Sequence, residues 1–143
     1  MLVNNTYRDP DLKKNLTKQV GKPFTIMQRI KLGGIGSPKL HITECSKEIT
    51  NLLIADSSIN TCNIELRPKG ILVGFGVRLE TYLLVIPFYK LTIYKEKTDE
   101  YCIYKDNYFI KFKAKNAETA IHNYIKKVLS YKANTSSTDI KDL

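Results

Sequence analysis

The residues of this chain best suited to catalysis are two histidines, His41 and His122, and three cysteines, Cys45, Cys62 and Cys102. His41 and Cys45 fall in one short segment with Glu44 beside them. A Cys/His nucleophile pair needs its side chains to converge. Four residues apart on one strand, they share a face but lie about 13 Å apart along it. A regular strand therefore keeps them separate. His122 falls on the polar side of a helical pattern, between Glu118 and Lys126, and reads as a solvated surface residue. The carboxylates of the central region, such as Glu65, Glu80, Glu96 and Asp106, fall in turns or on polar strand positions and give no paired acid/base signature. The cysteines lack the close spacing of zinc ligands, and their odd number gives no disulfide framework. Gly33-Gly34-Ile35-Gly36 has neither the Gly-Lys-Ser/Thr ending of a phosphate loop nor dinucleotide-type glycine spacing, and reads as a flexible connector. The expectation is a non-enzymatic protein with no catalytic residue, metal or cofactor.

Binding chemistry has more support. The chain has 143 residues, 23 Lys and Arg against 14 Asp and Glu, and a net charge of +9. Residues 1–40 hold eight of the bases and two of the acids. A basic arm of this kind attracts nucleic acid, anionic lipid or an acidic partner, or simply forms a solvated face. A second feature is the crowding of aromatics. Nine of the fourteen Phe and Tyr residues lie between Tyr82 and Phe112, with lysines interleaved as in Tyr89-Lys90, Tyr94-Lys95 and Tyr104-Lys105. Single-strand binders set aromatic platforms beside cations. However, Tyr108, Ile110 and Phe112 share one strand face, which suggests core.

These groups must be held by a fold. Hydrophobic residues make up 43% of the chain and charged residues 26%, which excludes global disorder. No apolar run approaches the roughly 18 residues of a membrane span. Met1–Asn5 has no apolar core of the kind a secretory signal carries, and free thiols fit a reducing, cytoplasmic setting. Asp9 and Pro10 can open a weak helix through Gln19. Phe24, Ile26, Gln28 and Ile30 alternate with Thr25, Met27, Arg29 and Lys31, which predicts a strand to Leu32. Lys39–Cys45 reads as another strand. Ser46 reads as the N-cap of a helix over 47–54.

From residue 61 the alternation is cleaner. It predicts strands through Cys62–Leu66, Ile71–Val77, Glu80–Ile86 and Leu91–Lys95, then a hairpin of Tyr101–Tyr104 and Tyr108–Lys113 about Lys105-Asp106-Asn107. Arg67-Pro68-Lys69-Gly70 reads as a turn in which Gly70 accepts a positive φ. Gly74 and Gly76 fall on the face opposite Val73 and Phe75, where a backbone or a ligand can approach closely. Asn116 reads as the cap of a final helix. Its stripe is Ala117, Ala120, Ile121, Tyr124, Ile125, Val128 and Leu129.

Consecutive antiparallel strands followed by one amphipathic helix resemble the bacterial pleckstrin-homology-like (PH-like) domains. The resemblance runs over about residues 61–133. It rests on the hairpin Asn63-Ile64-Glu65-Leu66-Arg67-Pro68-Lys69-Gly70-Ile71, the run Val85-Ile86-Pro87-Phe88-Tyr89-Lys90-Leu91, the Tyr101–Lys113 hairpin and the helix at 117–131. It implies an α+β fold: a bent antiparallel sheet, or half-barrel, capped by a C-terminal amphipathic helix. Phosphoinositide-binding members cluster bases across the first hairpin and carry a tryptophan in the closing helix. Here the hairpin offers Arg67, Lys69 and Arg78, and the chain has no Trp. The superfold also hosts peptide, lipid and protein binding, and fold does not choose among them.

The expected organisation is a basic N-terminal arm over 1–38, a PH-like domain over 39–133 and a disordered tail over 134–143. The expected function is a binding module for a protein, a peptide or an anionic surface, with contacts at Arg67, Lys69, Arg78 and Lys90. The alternative is nucleic-acid binding through the basic arm and the Lys/Tyr-rich strands.

Overall fold

A computed structural model describes residues 2–4, 9–54, 60–77, 80–115 and 117–141, without the side chains of 53, 54 and 136–141. The expected contact Arg78 and the expected cap Asn116 lie outside these residues.

The alternating segments form strands β3 (Thr61–Arg67), β4 (Gly70–Val77), β5 (Glu80–Pro87), β6 (Thr92–Lys97), β7 (Glu100–Lys105) and β8 (Tyr108–Lys113). With β1 (Leu2–Asn4) and β2 (Leu40–Cys45) they make one antiparallel sheet, in the order β1-β5-β4-β3-β2-β8-β7-β6. It is open, with β1 and β6 at its edges. β2 joins its two halves: Leu40 and His41 pair with β3, and Ile42 to Cys45 pair with β8 across an irregularity between Ile42 and Glu44. The fold is therefore α+β, with an antiparallel sheet and a C-terminal helix.

One sheet face carries the main core. Ile64, Leu66, Ile71, Val73 and Ile86 from one half join Ile103, Ile110 and Phe112 from the other in a single cluster. Helix α4 (Thr119–Lys141) closes this cluster with Ile121, Tyr124, Ile125 and Val128. The stripe is narrower than the sequence suggests, since Leu129 is 39% exposed and Ala120 is exposed. The helix is assigned through Lys141. Each fully buried Ile, Leu or Phe contributes roughly 1.5–3 kcal/mol, so these side chains fix which sheet face is inside.

The other face is covered at β4 and β5. Helix α1 (Pro10–Val20) starts as anticipated: Asp9 Oδ1 accepts from the Asp11 amide, and Pro10 stands in the first turn. Its Leu16 and Val20 pack against Leu72 and Val85 in a second, smaller core. Gly70 admits this helix. It is not among the positive-φ glycines, which are Gly21, Gly33 and Gly34. A Cβ at Gly70 would instead stand 2.7 Å from Val20 Cγ1 and 2.9 Å from Pro87 Cα. Close packing, not turn geometry, requires glycine there.

The segment expected as a strand from Phe24 contains helix α2 (Ile26–Leu32). Thr25 and Gln28 form a reciprocal capping box, and Gly33 ends the helix in the left-handed conformation at φ 73°. Helix α3 (Lys47–Ile54) begins after Ser46, whose carbonyl accepts from the Thr50 amide. The Ser46 hydroxyl is buried and finds no partner among the described residues, so it does not supply the expected side-chain cap.

Candidate binding surface

The catalytic candidates do not share one site, and His122 is held in a structural role. His122 Nε2 lies 3.0 Å from the Lys115 carbonyl and Nδ1 lies 2.7 Å from the Tyr101 hydroxyl. A carbonyl accepts only, so Nε2 carries a proton, and in the neutral ring Nδ1 then accepts from Tyr101. His122 is thus a half-buried bridge between β7 and α4, not a solvated surface residue. His41 is exposed on β2. Cys45 lies 3.3 Å from the Thr50 hydroxyl, while Glu44 pairs with Lys111. Burial raises the thiol of Cys62 to about 12 and also raises Cys45 and Cys102. All three thiols are moved away from the reactive thiolate.

The described members of the expected contact set, Arg67, Lys69 and Lys90, lie about the β3–β4 turn and the Phe88–Lys90 turn that bonds to it. Arg67 is paired with Glu65 on β3 and donates to the Gly21 carbonyl at 3.1 Å. Its side chain is 11% exposed, so it ties the end of α1 to the sheet. Lys69 is exposed at the β3–β4 turn, and its backbone bonds to Val20 and Phe88. Lys90 follows β5 in a single 3-10 turn, Phe88–Lys90, and pairs with Asp106 at 3.3 Å.

Two neighbouring features form a different surface. The first is a groove of about 680 Å³ on the outer face of β3 and β4. Gly74 and Gly76 lie in its lining, as alternation implies, and Arg29, Lys39 and Arg67 supply its cations. The second is the outer face of α2, the helix that also carries Arg29. Ile26, Met27 and Ile30 are 75%, 71% and 74% exposed, and α2 buries none of its residues.

This helix is fixed at both ends. Before it, Phe24 is buried and meets the Tyr131 ring edge-on at 5.7 Å. Arg29 Nε donates to the Phe24 carbonyl at 3.2 Å. After it, Lys127 of α4 donates to the carbonyls of Gly33 and Gly34 at 3.3 and 3.2 Å. Ile35 is buried, its carbonyl accepts from Tyr124, and Gly36 bridges to Glu65. The glycine run is a corner tied by hydrogen bonds to α4, not a free connector.

No family model matches this chain, and no curated protein or solved structure matches it.

Charge follows the same segment. From Leu12 to Thr43 there are seven bases and no acid. Lys22, Arg29 and Lys31 flank the three apolar side chains. Sequence reading missed this surface because the pattern looked like a strand. The capping box and Gly33 were the available signal.

The aromatic strands are arranged differently. Phe112 and Tyr101 are buried. Tyr94, Tyr104 and Phe109 form a row of rings with centroids 6.0 and 5.6 Å apart. Lys111 beside that row is held by Glu44 and Glu96. Its charge is already matched.

Proposed function

We propose that this chain is a non-enzymatic binding module that docks on anionic membrane surfaces through α2. Ile26, Met27 and Ile30 enter the boundary between headgroups and acyl chains, while Lys22, Arg29 and Lys31 meet the lipid phosphates. The carrying observation is that these three apolar side chains stand more than 70% exposed on a helix anchored at both ends. A stable fold gains nothing from leaving them in water. A basic rim around an apolar face is what an anionic interface attracts, and each Lys or Arg near such a surface contributes about 1 kcal/mol. The cytoplasmic leaflet is the proposed setting.

We read the fold as PH-like. The six consecutive strands from β3 to β8, the single core shared by both sheet halves and the closing helix support that reading. The strand half of the nucleic-acid alternative is the weaker one, because the ring row carries its own carboxylates. Cosedimentation tests the proposal. The protein is expected to sediment with vesicles of equal parts phosphatidylcholine and phosphatidylserine, and to be released by salt. Pure phosphatidylcholine vesicles are expected to leave it in solution. Equal sedimentation on both, or on neither, contradicts the proposal.

A further inference from the structure

A second cavity, of about 650 Å³, opens where α1 meets the Phe88–Lys90 turn and the β7–β8 hairpin. Lys18, Lys90 and Lys105 line it, together with Tyr108 and one carboxylate, Asp106. Lys105 is the unusual member. It follows Tyr101 and Ile103 on the inward face of β7 and is 6% exposed. Lysines at that depth ordinarily have an anionic partner. Among the described residues no carboxylate pairs with Lys105. Its Nζ donates to the Val85 carbonyl at 2.9 Å. That bond uses one of three ammonium donors and supplies no negative charge. Asp106 is engaged with Lys90 at 3.3 Å, and both side chains are 40% exposed or more. Such an exposed pair is worth little and reopens readily.

Three ammonium groups against one carboxylate, with one ammonium in a low-dielectric wall, leave the cavity short of negative charge. We infer that it binds a phosphate dianion, free or carried as a phosphomonoester. A tetrahedral oxyanion offers acceptors to the remaining Lys105 donors, to Lys18 and Lys90 at the rim, and to the Tyr108 hydroxyl. Charge-assisted bonds of this kind are the strong ones. The inference does not rest on the α2 reading, since no residue of α2 lines the cavity.

Calorimetric titration of the full chain with inorganic phosphate, at constant ionic strength in chloride, tests it. A parallel arm compares vesicles of phosphatidic acid, a phosphomonoester, with vesicles of phosphatidylserine, a phosphodiester. Saturable binding of free phosphate, or tighter binding to phosphatidic acid than to phosphatidylserine vesicles, supports the site. Binding of free phosphate identifies a soluble ligand, and preference for phosphatidic acid identifies a headgroup. Lys105→Met is expected to weaken the bound species about tenfold or more. Should that variant fail to fold, the exposed double variant Lys18→Gln/Lys90→Gln decides, with a loss of similar size. The variant Ile26→Gln/Met27→Gln/Ile30→Gln is expected to keep wild-type phosphate affinity, so failure of the α2 proposal is distinguishable. No saturable binding of free phosphate together with equal binding to both vesicles, or unchanged affinity in the Lys18→Gln/Lys90→Gln variant, overturns the inference.

Discussion

Tyr124 of α4 donates its hydroxyl to the Ile35 carbonyl at 2.7 Å, joining the closing helix to the corner that follows α2. The same hydroxyl lies 3.1 Å from the Ile64 carbonyl of β3. Both carbonyls also accept a backbone amide, from Leu66 and Ser37. Tyr124→Phe therefore removes one donor without leaving either acceptor bare. The expected cost is about 1–2 kcal/mol, read by chemical denaturation. An unchanged midpoint would show that this phenol does not hold the corner.

Tyr124 also sets an alkaline limit. Burial holds its phenol well above the ordinary tyrosine range, and Tyr101 and Tyr131 are raised for the same reason. The native state thus favours the protonated form. That stability is complete below the unfolded value of about 10 and is lost as pH rises toward the native value. Denaturation midpoints are expected to fall above about pH 9 as the buried thiols begin to count and more steeply above about 10, and Tyr124→Phe is expected to flatten the steeper part. A variant as alkali-sensitive as wild type would assign the transition elsewhere.

Two glycines should behave oppositely. A Cβ at Gly70 meets Val20 and Pro87 below 3.0 Å, partly against backbone. Gly70→Ala is expected to cost about 3 kcal/mol by overpacking. At Gly36 nothing lies within 4 Å and φ is not positive. Gly36→Ala should change stability by less than about 0.5 kcal/mol. Equal effects in thermal melts would refute the packing account of Gly70.

The strands from β3 onward were legible because a half-buried strand writes its inward face into every second residue. Cys62, Ile64 and Leu66 do so. Helix α2 was not legible by that rule. Ile26, Met27 and Ile30 face solvent, and Phe24, Ile26 and Ile30 imitate a period of two. Its identity lies in its ends, Thr25 with Gln28 and then Gly33. The bridging role of His122 depends on Tyr101, a contact between β7 and α4 that local pattern does not encode. Lys105 was hidden for a related reason: a lysine at a hairpin reads as solvated, yet alternation turns it inward with Ile103. Arg67 was recognisable as a base near a turn, but its engagement with Glu65 and Gly21 required the fold.

The thiols should differ in reactivity. Cys62 is 4% exposed and Cys102 is fully buried, while Cys45 is partly exposed. Alkylation of the native protein near neutral pH is expected to modify Cys45 first, with the other two reacting on unfolding. Peptide mapping that found Cys62 or Cys102 labelled first would contradict the packing of β3 or β7.

The central claim is that the open face of α2 enters a membrane surface. The chain has no Trp, so one introduced tryptophan reports a single position. Ile30→Trp places an indole on the exposed face, and Tyr94→Trp places one on the edge strand β6, away from α2. Vesicles of equal parts phosphatidylcholine and phosphatidylserine are added to each variant. Ile30→Trp is expected to show blue-shifted emission and quenching by brominated acyl chains, and Tyr94→Trp neither response. Unchanged emission from Ile30→Trp, or equal quenching at both positions, would contradict the central claim.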